Sequence, residues 1–264
     1  MRAMIEIVDI YEAPLHELRY LNAARGGGTT VARLPIVRGR VRGLPDDLDA
    51  IIATSDLQGV VPDPHTRAST LLGIAVAEQL EELAFDGVLP PLARSGVVLA
   101  GDLYSVPGAD KRGGHGDVAE VWRAFAERFA WVVGVAGNHD DVTRVEREPH
   151  VHLLDTEHVA VDGLRIGGVG LIAGNPAKLG RRDEDDQLER IALVAGDALD
   201  LLVVHEGPGG DDEHQRGHAR IRSLIEDHAV PLTVCGHDHW DDPLARHARG
   251  AILNVDARVV VLTR

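Results

Sequence analysis

"WVVGVAGNHDD", residues 131–141, begins as an apolar, β-branched run and breaks at glycine into asparagine, histidine and two aspartates. A short apolar run closed by glycine reads as a buried strand. The same break recurs four times: "AIIAT" (50–54) runs into "SDLQG", "GVVLA" (96–100) into "GDLY", "LLVV" (201–204) into "HEGPGG", and "PLTVC" (231–235) into "GHDHW". In open α/β sheets, ligands gather beyond the carboxyl ends of the strands, and glycine lets backbone approach a ligand closely. Five strand ends carrying carboxylate, amide or imidazole groups therefore predict one convergent site.

Between these runs lie amphipathic stretches that predict helices over 66–85, 117–129, 185–196 and 215–227. Strands alternating with covering helices give an α/β chain. The third quarter changes character. "HVHLLD", "HVAVDG" and "LRIGGVG" are short, β-rich and separated by turns, which predicts hairpins or a meander opening a second sheet, and "AILNVDARVVVL" (251–262) repeats the pattern around a polar turn at Asn254 and Asp256. Residues 1–48, with the proline-punctuated "VARLPIVRGRVRGLP", read as an N-terminal extension holding one or two edge strands and packed on or leading into a main domain over 49–264.

Composition narrows the function classes. The chain has 264 residues, 44% hydrophobic and 26% charged, enough for a sizeable core. A formal charge of -15 and an aromatic content of 3% disfavour a nucleic-acid-binding surface, because phosphate is repelled and bases find few rings to stack on. A bound divalent cation can still reverse the field inside one pocket. The single cysteine, Cys235, excludes an internal disulfide and a zinc site of several thiolates, and reads as a small core residue. Acids interrupt the apolar N-terminus and no run approaches the ~20 apolar residues of a membrane span. A cytoplasmic protein without a membrane partner is the expectation.

Taken singly, Asp56 and Asp102 are ordinary turn or cap residues, and His205 after "LLVV" is as well explained by a satisfied core histidine. "GNHD" and "GHDH" are more specific, since alternating imidazoles on extended backbone point to one side. The ordered set resembles the calcineurin-like metallophosphoesterases, whose pattern is Asp-x-His, Gly-Asp, Gly-Asn-His-Asp/Glu, His and Gly-His-x-His. Four of the five motifs match fully, and the resemblance spans about residues 49–264. It implies an α/β four-layer sandwich, with two mixed β-sheets packed face to face and helices on both outer sides. It also implies roles. Asp56 and His239 would bind a first metal, with Gln58 where the family has histidine; Asp102 would bridge both metals; Asn138, His205 and His237 would complete the second site. His139 would stand over the substrate phosphate as a catalytic residue, with Asn138 beside it.

Imidazole, carboxylate and amide oxygen suit two divalent ions of the manganese, iron or zinc kind. Such a pair turns water into hydroxide near neutral pH and clamps both ends of an in-line displacement. The expectation is therefore metal-dependent hydrolysis of a phosphate ester, on a small phosphorylated metabolite or nucleotide, by a metal-bridging hydroxide, with His139 as donor to the leaving oxygen. Monoester and diester are not distinguished by these residue types. Gln58 departs from the pattern and implies a looser first metal site. The segment after "GDLY" lacks the Asp-Arg-Gly of the protein Ser/Thr phosphatases, which disfavours that branch. Two loops hold basic residues that either meet phosphate or are merely solvated: Lys111, Arg112 and His115 in "GADKRGGHGD", and Lys178, Arg181 and Arg182 in "GNPAKLGRRDEDD". The rival readings are a nuclease, opposed by the acidic charge, and a non-catalytic scaffold of the same fold with a weakened metal site.

Overall fold

The computed structural model describes residues 5–62 and 68–264. Thr66 and Arg67, the first two residues of the expected helix over 66–85, lie outside the described residues.

The motif-bearing strands form two parallel blocks. In the larger sheet, Ala50–Ser55 pairs in parallel with Ser95–Leu99, and this strand with Trp131–Gly134. In the smaller sheet, Leu164–Val169, Leu201–Glu206, Leu232–Gly236 and Gly250–Asn254 run parallel in that order. Parallel strands end on the same edge, so the residues after Ser55, Leu99 and Gly134 share one edge, and those at Glu206 and Gly236 share another.

These strands are apolar on both faces because both faces are covered. Ile51, Ala53, Val98 and Val133 join Ile166, Val203, Leu232 and Val234 of the smaller sheet in one buried cluster. The alternate residues Ile52, Val97, Leu99 and Val132 pack with Val76, Leu80, Trp122 and Phe125 of the helices Leu72–Phe85 and Ala119–Ala126. On the other side, Leu202, Val204 and Ile252 pack with Leu188, Ile191, Ile221 and Ile225 of the helices Glu184–Ala195 and Ala219–Asp227. The period of two sends neighbours to opposite cores, and each buried valine, leucine, isoleucine or phenylalanine contributes about 1.5–3 kcal/mol. The result is a mixed α/β fold with a ten-stranded and a six-stranded sheet and four α-helices among the described residues.

Several elements differ from the sequence expectation. The helix expected from residue 66 starts at Leu72, because Ser69–Leu71 pairs antiparallel with Val60–Pro62. "HVHLLD" adds Val151–Leu153 to the edge of the larger sheet, while Glu157–Val161 and Leu164–Val169 form the hairpin of the smaller one. The turn of that hairpin is Asp162-Gly163, with φ of 44° and 79°, the left-handed pair that a two-residue connection requires. The tail is not a hairpin: Gly250–Asn254 lies in the smaller sheet and Arg258–Thr263 in the larger, so the chain crosses between sheets at 255–257.

The first 42 residues supply three strands, Glu6–Ile10, His16–Ala23 and Thr29–Arg42, not one or two at an edge. Thr29–Arg42 lies between His16–Ala23 and Arg258–Thr263. Pro35 is tolerated there because pairing with Arg258–Thr263 begins only at Ile36. No described helix is long and apolar enough to cross a membrane.

Candidate metal centre

The turns after the strands set the site. Asp56, Asp102 and His237 each follow a strand and each adopt a positive φ, of 54°, 55° and 70°. Left-handed backbone at a non-glycine residue costs energy that the surroundings must hold, and here it is held by cross-links between turns. Asp56 donates from its amide to the Gly101 carbonyl at 2.9 Å, and the amide of His237 donates to Asp56 Oδ2 at 2.9 Å. The amide of His139 donates to Asp102 Oδ1 at 2.9 Å. Gly137 is required at its position, because a Cβ there would overlap the amide nitrogen and Oδ1 of Asp102.

Asp102 is the hub. Its carboxylate, His205 and His237 offer ligand atoms that all lie within 4.8 Å of one another. Gln58 donates from Nε2 to Asp102 Oδ2 at 2.8 Å. Buried His205 donates from Nδ1 to the Ala100 carbonyl at 2.8 Å, which turns Nε2 towards Asn138 Oδ1 at 3.1 Å and Asp102 Oδ1 at 3.4 Å. A backbone carbonyl fixing one imidazole nitrogen so that the other faces a ligand is the usual second contact of a metal-binding histidine. The rings of His205 and His237 meet edge to face at 5.2 Å.

The charges call for a cation. Burial pushes the Asp56 carboxyl well above the ordinary range, and the nearby carboxylates of Asp256 and Asp102 push it further. Burial also opposes ionisation of Asp102, but the charge and hydrogen bond of His205, with help from His139, hold this carboxyl below the ordinary range. His205 is raised despite its burial, chiefly by the charge of and bond to Asp102. His237 is lowered, by burial and by His205. Asp56 Oδ2 accepts from Ser55 Oγ and the His237 amide, while Oδ1 makes no hydrogen bond among the described residues. The carboxylate of Asp102 and the imidazoles of His205 and His237, converging within 4.8 Å, fit a divalent cation of the borderline class.

The structure thus brings Asp56, Gln58, Asp102, Asn138, His139, His205 and His237 together. His139 donates from Nδ1 to the Gly114 carbonyl at 2.7 Å, which leaves Nε2 3.8 Å from Asp102 Oδ2. His239 stands at the outer margin with its side chain 60% exposed, and its Nδ1 meets Asp256 Oδ2 at 2.7 Å. No hydrogen bond joins its ring to the other candidate ligands among the described residues.

Three supporting residues had no role in the sequence reading. Asp140 accepts from the amides of Leu103 (2.7 Å) and Tyr104 (3.1 Å) on Oδ1 and from that of Gly137 (2.9 Å) on Oδ2, tying two ligand turns together. Ser55 and Asp256 orient Asp56 and His239. Asp140 was visible inside "GNHDD"; nothing local in "NVDAR" connects Asp256 with His239, because the contact depends on the crossing between sheets.

Of the basic residues in the second loop, Arg182 is structural: it bonds Asp155, Gln187 Oε1 at 3.1 Å and the Gly170 carbonyl at 3.1 Å. The loop lies directly against Asn138, since a Cβ on Gly180 would overlap the Asn138 backbone. The following acids serve the helix, with Asp183 accepting from the Asp185 amide at 3.0 Å and Glu184, Asp185 and Asp186 in the first turn.

The fold and this cluster of candidate ligands fit a metal-dependent phosphoesterase. The model of the calcineurin-like phosphoesterase family matches residues 50–241, and the chain belongs to that family. Among solved structures, TT1561 of Thermus thermophilus is similar at 20% identity and a TM-score of 0.54, over 81% of this chain and 88% of that one. A hypothetical protein from the same organism is similar at 16% identity and a TM-score of 0.45, over 78% and 75% of the two chains. AQ665 from Aquifex aeolicus, described as of unknown function, is similar at 15% identity and a TM-score of 0.36, over 80% and 95%. The curated proteins give no match.

Proposed function

We propose that this chain hydrolyses the phosphate ester of a small phosphorylated metabolite or nucleotide at a centre for two divalent cations. The observation that carries the proposal is the convergence of Asp102, His205 and His237 within 4.8 Å, with Asp56 bonded to the His237 amide. We read the three buried clusters as the cores of a four-layer sandwich, helices, sheet, sheet, helices, with the two parallel blocks presenting their ligands from facing edges.

Asp56, with Gln58 and His239 at its margin, would hold one cation, and Asn138, His205 and His237 the other, with Asp102 between them. When bound, the cations supply an activated water and neutralise charge on the phosphoryl oxygens. The chain's own part is positioning and proton transfer. With Nδ1 committed to Gly114, the His139 imidazolium would donate from Nε2 to the leaving oxygen. Asn138, whose backbone lies against Gly180 and whose Oδ1 meets His205 Nε2 at 3.1 Å, would bring its side-chain amide to the phosphoryl oxygens.

The test is a manganese-supplemented screen of phosphomonoesters, cyclic nucleotides, dinucleotide polyphosphates and single-stranded DNA. Hydrolysis of a small substrate, abolished by chelation and by Asp102→Ala, is expected. Protein that carries both metals yet cleaves none of these would instead be a scaffold.

A further inference from the structure

Arg112 occupies an unusual place. Its neighbours Gly113 and Gly114 lie against His139: a Cβ on Gly113 would stand 3.9 Å from His139 Cε1, and the Gly114 carbonyl accepts from His139 Nδ1 at 2.7 Å. Its side chain, however, ends elsewhere, donating from Nε to the carbonyl of Ala23 at 3.2 Å.

Ala23 closes the strand His16–Ala23, which borders the other side of the centre. Leu21 pairs with Val60, and the ring of Tyr20 packs against the Cα of Gly59, next to Gln58. Arg112 therefore runs from the His139 side to the Gln58 side. Its Nη1 and Nη2 groups bond nothing among the described residues. It also makes no ion pair among them, and although the residue is largely exposed its Nε is held by the N-terminal strand.

We propose that Arg112 binds the substrate's phosphoryl oxygens and that the N-terminal hairpin, by holding its Nε, forms part of the substrate pocket. A guanidinium fixed at one edge keeps a planar pair of donors for two oxygens, at little further cost in side-chain freedom. Residues 16–36, which precede the family match at residue 50, thereby take part in recognition. The inference rests on the phosphoesterase reading.

The experiment measures inorganic phosphate binding to the manganese-loaded full chain by calorimetry, with aryl phosphate kinetics alongside. Arg112→Ala is expected to weaken phosphate binding about tenfold or more, with the loss in kcat/KM falling mainly on KM, while manganese content and melting temperature match the wild type. Arg112→Lys is expected to recover only part, since a compact ammonium lacks the planar pair of donors that can reach two oxygens while Nε stays on Ala23. Unchanged phosphate affinity in Arg112→Ala overturns the proposal, as does a loss accompanied by lower metal content or melting temperature. Phosphate binding that depends on Arg112 in a wild type that hydrolyses nothing would support this inference and defeat the proposed function; hydrolysis indifferent to Arg112 would do the reverse.

Discussion

Gln58 donates from Nε2 to Asp102 Oδ2 at 2.8 Å, so the one residue that departs from the family's ligand pattern leans on the carboxylate expected to bridge the metals. Its amide offers a neutral oxygen where imidazole would bind more strongly. Gln58→His should tighten the weaker metal site, and Gln58→Ala should loosen it about tenfold, the usual effect of removing a partner of a ligand. Titration of the metal-free protein with manganese checks both.

His139 is tied by its amide to Asp102 and by Nδ1 to Gly114, which leaves one nitrogen for chemistry. His139→Ala should lower kcat by about 10²–10⁴-fold, the range of a general acid. Metal content should persist, because the amide bond to Asp102 does not depend on the side chain. Steady-state kinetics with metal analysis on the same preparation decides the point.

Asp140 bonds three amides through two oxygens, and asparagine can accept on only one of them. Asp140→Asn should destabilise the protein by about 1–3 kcal/mol near pH 4, the cost of a buried donor left without a partner, and by less at neutral pH, where it also removes a buried charge. Burial, with the charge of Asp102, pushes the Asp140 carboxyl up to about 6. Between about pH 4 and 6 the folded chain keeps a proton that the unfolded chain has released, so this group's contribution is full below that window and lost as pH rises through it. Denaturant melts of the metal-free protein across that range should show the fall, and Asp140→Asn should lack it.

Cys235 is buried in the strand Leu232–Gly236, and its thiol is pushed up by burial and by the charge of Asp56. It should resist a thiol-specific colour reagent at mildly alkaline pH in the folded protein and react fully in denaturant.

What the sequence made legible follows from where its polarity changes. Asp56, Asp102, Asn138, His205 and His237 stand at or just beyond the ends of apolar runs, and parallel pairing carries them to common edges without further information. His239 was named from its motif, but its contact with Asp256 arises where the chain passes from one sheet to the other, a step no local pattern encodes. Thr29–Arg42 was hidden by Pro35 and by a partner, Arg258–Thr263, more than 200 positions away. The bond from Arg112 to Ala23 is equally remote in sequence, joining a glycine-rich loop to the N-terminal hairpin.

Manganese titration of the metal-free wild type beside Asp102→Ala is the most direct trial of the whole picture. Two equivalents of unequal affinity should bind, the tighter at the side holding Asn138, His205 and His237, and Asp102→Ala should disable both. A wild type that takes up no divalent cation, or an Asp102→Ala variant that binds as well as the wild type, would contradict a shared carboxylate between two cations.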